Sequence, residues 1–500
     1  MLIKSGEKST SVTHTQQLVE KYYGIQAIAK PLPGEIDDNF YLITNQGEEY
    51  VLKIAPPDSD LEHLKFQNAL ALHLKDGELA LPCPVKNIQG DFLITHWEDN
   101  HELYLRLFSW LPGRLLSQCH PHGTGLLVDL GKTMGKISKS LQHFDHPYAH
   151  RFHKWDPSQA DWVKPHLDSF ENPEKKVIAA YFYQLFEDHL PALQNLRKGI
   201  NHNDANDHNV IVTDDSRNPR IYGLIDYGDA IYTHTINELA ITLTYSMMGK
   251  NDPLEAALAV IKGYHREFAL MEEELAELYV MIGTRLLISV TVAHLNSQEN
   301  PDNPYLQISN PNAWNLLRKW KEIPPSLAHY SFRYAAGFES CPLRKQYETW
   351  LNQKPEITPI VKQLGRAKLH FFDLSIGSLE IGNPANFSDT RKFESRSIQI
   401  LEENKADIGI GKYGEVRPIY TTEDYLVKGN SGYKWRTVHL GIDIFVAPDT
   451  GIFSPLNGVL HSFQNNAGNK NYGPTIILEH VQDGMVFHTL YGHLSKDSLS

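Results

Sequence analysis

Apolar positions recur with two different periods along this chain, and the change of period divides it. Phe40 and Leu42 alternate with Tyr41, Ile43 and Asn45, and Tyr50 to Ile54 returns after a turn at Asn45 to Glu48, which predicts a β-hairpin. Residues 15–30 ahead of it read as a short amphipathic helix ending near Tyr23 and Gly24. Asp60 to Lys75 is helical, with Leu61, Leu64, Leu70, Leu72 and Leu74 giving an apolar face, and Leu81-Pro82-Cys83-Pro84 breaks it. Two strands are expected near 92–95 and 104–110. The helical period then holds over 123–141, 174–196, 254–267, 272–296 and 312–321. Between these helices, Val210 to Val212 and Ile221 to Ile225 are two short apolar runs separated by a polar turn, Asp214 to Pro219, and read as buried strands.

Beyond residue 325 the character shifts. A polar, proline-containing stretch leads to Asp373–Leu379, read as a strand with a turn. From 415 to 500, short strands alternate with Gly and Pro turns, which predicts a small antiparallel sheet. The longest apolar stretch, Leu278 to Leu295, contains Arg285 and His294 and fits a buried helix better than a membrane span. Five hundred residues exceed one hydrophobic core, so two or three domains are expected.

Charge and cysteine usage narrow the function classes. With 47 Lys and Arg against 60 Asp and Glu, the net charge is −13, which excludes nucleic-acid binding through a broad basic surface. The three cysteines, Cys83, Cys119 and Cys341, are widely spaced and form no disulfide framework, as expected in a reducing compartment. The amino terminus, MLIKSGEKSTSVTHTQQ, has no apolar core of a secretory signal, so a cytoplasmic protein is expected. The histidine-rich segment His143 to Pro157 has no compact ligand spacing and reads as loop, in which Trp155 and Asp156, with Trp162 beyond it, are candidates for shaping a substrate pocket.

The densest chemistry lies in GINHNDANDHNVIVTDDSRNPRIYGLIDYGDA, residues 199–230. His202, Asp204 and Asn209 precede the first strand and Asp226 follows the second. Phosphoryl transfer needs this set: one carboxylate to accept the substrate hydroxyl proton, and an amide with a second carboxylate to hold magnesium. His202-Asn203-Asp204 with Asn209, followed by Asp226-Tyr227-Gly228-Asp229, resembles the catalytic loop and metal segment of the aminoglycoside phosphotransferase/choline kinase group, within it the hydroxylysine-kinase-like branch.

That resemblance covers roughly residues 15–325 and implies a bilobal protein-kinase-like fold, α+β, with a β-rich amino-terminal lobe and a helical carboxy-terminal lobe. It further implies ATP as phosphoryl donor, Asp204 as catalytic base, His202 as a support of the loop, and Asn209 and Asp226 as magnesium ligands. Lys53 matches the strand lysine that pairs with the nucleotide phosphates. Gly34 lies in the turn over the phosphates, where the family pattern has more glycines. Gln67 stands where a kinase places a glutamate to hold that lysine, so an amide replaces the ion pair. Trp110-Leu111-Pro112-Gly113-Arg114 resembles the hinge that meets the adenine.

A second constellation follows. His439-Leu440-Gly441-Ile442-Asp443 and Tyr491-Gly492-His493 resemble the lysostaphin/LytM-type zinc endopeptidases. The resemblance implies His439 and Asp443 as zinc ligands and His493 as a catalytic histidine, over residues 411–500. The family's third ligand is not found before Ser500, so this domain is expected to be incomplete at its carboxy terminus, with residues 326–410 as a connecting segment. Gly409-Ile410-Gly411-Lys412-Tyr413-Gly414 mimics a dinucleotide fingerprint but lacks its βαβ frame. The pairing of domains resembles the front half of a bacterial fusion whose back half is a class III aminotransferase, so pyridoxal phosphate belongs only to that further domain.

These readings imply a kinase for a hydroxyl of a small amine-bearing acceptor, an amino alcohol or hydroxy amino acid, with no nucleic-acid or membrane partner. The rival readings are a zinc hydrolase with an auxiliary kinase lobe and a non-catalytic pseudokinase.

Overall fold

A computed structural model describes residues 10–34, 36–75, 77, 79–98, 101–299 and 310–500. The first nine residues, on which the expectation of no secretory signal partly rests, lie outside the described residues. The chain folds as two compact units, Met1–Ser340 and Cys341–Ser500.

The first unit begins with α1 (Val12–Tyr23), opened by the Ser11 side chain accepting from His14 N–H and closed by Gly24 at φ +69°. A six-stranded antiparallel sheet follows, ordered β1 (Ala27–Leu32), β2 (Asp38–Thr44), β3 (Glu49–Ala55), β6 (His101–Ser109), β4 (Pro84–Val85), with β5 (Ile94–Glu98) also paired to β6. The expected helix over 15–30 therefore stops at Tyr23, and its last four residues, 27–30, are strand. β1 is at the sheet edge, where Pro31 costs no ladder bond. Phe40, Leu42, Leu52, Ile54, Leu105 and Leu107 bury one face against Leu18 and Val19 of α1. The alternate face carries Lys53 directly opposite Arg106 in the β3–β6 register, on the side of α2 (Leu61–Lys75).

After β6 the chain passes through Trp110–Gly113 into β7 (Arg114–Leu115), which pairs with β9 (Val210–Val212), itself paired with β10 (Ile221–Leu224). The two apolar runs predicted as strands thus form one hairpin. Gly113, at φ +129°, packs so closely on β9 that a Cβ would overlap the Val212 carbonyl. β8 (Lys198–Asn201) pairs with β11 (Ile231–His234). The rest is helical: α3 (Thr124–Leu141), α4 (Pro173–Leu193), α5 (Ile236–Met247), α6 (Pro253–Glu267), α7 (Glu272–Glu299), α8 (Asn310–Glu322) and α9 (Pro325–Ala335). α3 and α6 cross at Gly131 and Gly263, where a Cβ on either would overlap the partner's Val260 or Val128 carbonyl. α7 is long and apolar enough to cross a membrane, but 78% of its apolar window is buried inside the unit.

The segment expected as a connector, 326–410, is folded. α9 packs Ala328 and Phe332 into the first unit's core, because those positions sit one helical turn apart on one face. From 341 onward the chain belongs to the second unit. There α10 (Arg344–Asn352) is followed by β12 (Leu369–Phe371), α11 (Pro384–Ser388) and α12 (Thr390–Glu403). Phe372, Leu374, Ile381, Phe387 and Ile400 form a core. The strand expected at 373–379 is displaced to 369–371; the turn expected there is present at Ile376-Gly377, with Ile376 and Leu379 exposed.

β13 (Ile408–Gly411) runs parallel to β12 and antiparallel to β18 (Asp443–Phe445). The first half of the GIGKYG segment, Gly409–Gly411, is therefore strand and Tyr413-Gly414 is a turn; Gly409 is explained by close approach, since a Cβ there would overlap the Phe372 ring. Antiparallel pairs β14 (Glu415–Val416) with β17 (Val438–His439) and β15 (Leu426–Gly429) with β16 (Gly432–Trp435) precede a three-stranded antiparallel sheet of β19 (Val459–Asn466), β20 (Gly473–Gln482) and β21 (Met485–Tyr491).

Candidate active site

β8, β9 and β10 bring the polar residues of 199–230 to one place. Asp204 is held from both sides. Its Oδ2 accepts from Asn209 Nδ2 at 2.7 Å and Asn206 Nδ2 at 3.0 Å. Its Oδ1 lies 3.4 Å from Arg285 Nη2. Burial pushes its carboxyl up to about 7, with Arg285 opposing and Asp229 adding to the rise. That value suits a group that must lose and regain a proton near neutrality.

Asp226 begins the DYGD segment with φ +69°, a left-handed conformation that Asp tolerates and that recurs at functional sites. Its Oδ1 accepts from Gly228 N–H at 3.0 Å. Burial works to raise this carboxyl, but Lys53, the Gly228 N–H and His202 outweigh it and hold it below the usual carboxylate range. Asn209 spends its Nδ2 on Asp204, which leaves its Oδ1 as the oxygen to offer a cation. Asn209 and Asp226 are hard oxygen donors of the kind magnesium takes, so the donor chemistry fits that ion.

His202 joins the two motifs. Its Nδ1 lies 3.4 Å from the Asp204 N–H, and its Nε2 reaches the Ile225 carbonyl, immediately before Asp226, at 3.2 Å. Complete burial lowers it to about 4, so it is a neutral ring with Nε2–H donating. Asn203 beside it adopts φ +67° and is fully buried. The turn it makes is anchored by Glu238 in the first turn of α5. The Glu238 Oε2 accepts from His202 N–H at 2.5 Å and Asn203 N–H at 3.4 Å, and burial raises this carboxyl to about 7.

Gln67 does not hold Lys53. Its Oε1 accepts from Arg106 Nη1 at 2.6 Å, and its Nε2 contacts His63 Nε2 at 3.1 Å; His63 Nε2 in turn lies 2.9 Å from the Gly228 carbonyl. Arg106 is 1% exposed and also pairs with Asp37 at 2.9 Å, in the turn that contains Gly34. The amide is drawn to the guanidinium because Arg106 neighbours Lys53 on the sheet and is the more deeply buried cation, with the greater need of an acceptor. Lys53 acts instead on Asp226. At Gly34 a Cβ would overlap the Asp37 carbonyl, so the turn is shaped by contact.

Four residues outside the predicted set complete the candidate site: Arg285, Glu238, Arg106 and His63. Arg285 and Glu238 left a trace, as charges inside otherwise apolar helical stretches. The guanidinium of Arg285 also donates to the Trp155 carbonyl at 2.6 Å and lies 4.8 Å from the Trp155 ring centroid, which joins Trp155 to the site. Asp156 is structural: fully buried, it accepts from Ser158, Thr233, Gln159 and Asn237. The histidine-rich loop contacts carboxylates, with His150 Nε2 2.8 Å from Asp145 Oδ1 and His153 Nε2 3.3 Å from Asp229 Oδ1.

In the second unit, His439 Nε2 lies 3.4 Å from Asp443 Oδ1. Tyr420 Oη reaches His439 Nδ1 at 2.6 Å. His493, at φ +56°, is close enough for its charge to act on His439. The pair does not fit a resident zinc ion by itself. It supplies two donors, and the guanidinium of Arg417 already occupies Asp443 Oδ2 at 2.5 Å.

Residues 28–278 match the model of the phosphotransferase enzyme family, abbreviated APH. The chain is 29% identical over 341 residues to hydroxylysine kinase of Xenopus laevis, covering 63% of this chain and 91% of that one. It is 27% identical over 358 residues to hydroxylysine kinase of Bos taurus, covering 66% and 95%. Homoserine kinase of Zymomonas mobilis is 27% identical over 257 residues, covering 49% and 74%. Among solved structures, a microcompartment-associated aminopropanol kinase overlays with a TM-score of 0.48 at 15% identity, covering 66% of this chain and all of that one.

Proposed function

Since this chain belongs to the phosphotransferase enzyme family, a kinase group acting on alcohols, we propose that it transfers the γ-phosphoryl group of ATP to the hydroxyl of a small amine-bearing acceptor, a hydroxy amino acid or amino alcohol. The observation that carries this reading is the joined set of Asp204, Asn209 and Asp226, with Lys53 acting on Asp226. The similarity to hydroxylysine kinases over nearly their whole length supports the acceptor class.

The residues divide the work. Lys53 steadies the nucleotide phosphates, and Asn209 and Asp226 hold magnesium, which when bound neutralises the phosphate oxygens. Asp204 aligns the acceptor hydroxyl and takes its proton as the oxygen bonds to the γ-phosphorus and the bond to the ADP oxygen breaks. Arg285 keeps enough of Asp204 ionised at neutral pH for that role. His202 and Glu238 fix the loop so that Asp204 and Asp226 keep their spacing.

We read residues 411–500 as a LytM-type β region without a zinc centre of its own, on the strength of the motif order and of Arg417 on Asp443. The fusion to a pyridoxal-phosphate domain rests on the resemblance alone and is tested by reading the gene beyond codon 500. The free cysteines support a cytoplasmic setting.

The deciding experiment is ATP and GTP consumption by the full chain with magnesium and hydroxylysine, ethanolamine, choline, homoserine or an aminoglycoside. Turnover dependent on one acceptor, and reduced about 10²- to 10⁴-fold in Asp204→Asn, supports the reading. Nucleotide binding without turnover on any acceptor favours the pseudokinase.

A further inference from the structure

Away from the phosphoryl-transfer residues, α1 and the β5–β6 hairpin bring His14, His96 and Glu98 together. One donor atom of each lies within 4.8 Å of the other two. His96 is 8% exposed, and Tyr22 Oη lies 2.9 Å from its Nδ1. His14 Nε2 is shut away from solvent and sits 3.0 Å from Glu98 Oε1, yet in an orientation that makes no hydrogen bond. An ion pair serving structure alone would turn that N–H onto the carboxylate. A buried imidazole nitrogen facing a carboxylate and a second imidazole, without a hydrogen bond, is arranged for a shared cation.

We propose that His14, His96 and Glu98 bind one divalent transition-metal ion of the zinc type. Two imidazoles and a carboxylate are a donor set that zinc accepts, with a fourth position left for water. Tyr22 supplies the outer partner: with Nδ1–H of His96 donating to Tyr22 Oη, the lone pair is on Nε2, and the ring is held in place. Lys21, with its ammonium 4.8 Å from the Tyr22 ring centroid, adds positive charge nearby, and the Glu98 carboxylate offsets it. The ion would tie the amino-terminal helix to the hairpin that leads into β6. No step of the kinase reaction passes through it.

The side chains of His14 and Glu98 are 31% and 38% exposed, so both can be replaced with little damage to the core. The second unit has an exposed group of His461, Glu479 and His488, whose contribution is removed by working in the H461A/H488A background. The test is cobalt(II) titration of the chelator-treated full chain, followed by visible absorption, with zinc competition and thermal melting. The expected result is one equivalent of cobalt whose ligand-field band disappears in H14A and in E98Q and is displaced by zinc. Tyr22→Phe should weaken binding about 10- to 100-fold, as loss of an outer-shell partner does. Zinc should raise the melting temperature of the parent but not of H14A. An unchanged band and affinity in H14A and E98Q, or no band in the parent beyond that of free cobalt, overturns the proposal. Metal-free melting of each variant shows whether it remains folded.

Discussion

Arg285 Nη2 lies 3.4 Å from Asp204 Oδ1, although 81 residues separate them and the guanidinium is buried in the middle of an apolar helix. The arrangement balances two opposing effects on one carboxylate. Burial favours the protonated acid, and the fixed cation restores the base.

The balance predicts a pH profile. Burial pushes Asp204, the proposed base, up to about 7, so kcat/KM should rise with pH through about that value. Arg285→Met removes the opposing cation and moves this limb to higher pH. Each unit of displacement lowers the rate on the acid side about tenfold while the alkaline plateau moves less. Profiles of parent and variant between pH 5.5 and 9.5 check this. An unmoved limb would show that Arg285 only positions Trp155.

Glu238 couples the catalytic loop to stability. Its folded pKa, about 7, stands above its ordinary value of 4.5, so the folded state holds the extra proton between them. Stability contributed by the neutral form is present below pH 4.5 and lost as pH rises through 7, a loss of order 3 kcal/mol. Glu238→Gln keeps an acceptor for the His202 N–H and should flatten this slope. Glu238→Ala leaves buried N–H groups without that acceptor and should cost about 1–3 kcal/mol at every pH. Denaturant unfolding at pH 5, 6, 7 and 8 separates the two.

The α3–α6 crossing should be intolerant of a single methyl group. Gly131→Ala drives a Cβ into the Val260 carbonyl, and relief requires the helices to part. A loss of about 1–3 kcal/mol or more is expected, seen as a lower melting temperature with nucleotide affinity little changed. The exposed Gly123→Ala, which meets no neighbouring atom, is the control.

The candidate site was readable where its residues are close in sequence. Asp204, Asn209 and Asp226 flank one hairpin, so their order and spacing stay on one short stretch of chain. Arg285, Arg106 and Glu238 were not readable as site residues, because each works on a partner 81, 39 or 36 positions away and nothing in the neighbouring sequence records that distance. In the fold, β1 was hidden by Pro31, which argues against a strand except at a sheet edge, and edge position is a property of the assembled sheet. The residues at 373–379 misled in the opposite sense: apolar Leu374 and Ile376 alternate as in a strand, but only Leu374 is buried.

The bonds of Arg106 have a bearing on control. Kinases that pair a lysine with a helix glutamate can be silenced by swinging that helix outward. Here an outward swing of α2 would take Gln67 from a guanidinium that is 1% exposed and His63 from the Gly228 carbonyl. Breaking the support of a buried charge costs several kcal/mol, about 3–5 where a whole ion-pair partner is removed. Hydrogen exchange along α2 should therefore be slow without nucleotide and change little when nucleotide is added, whereas faster exchange in the apo chain would show a helix free to move. If exchange proves slow, control of the proposed phosphoryl transfer would rest on the supply of acceptor and nucleotide and not on the position of α2.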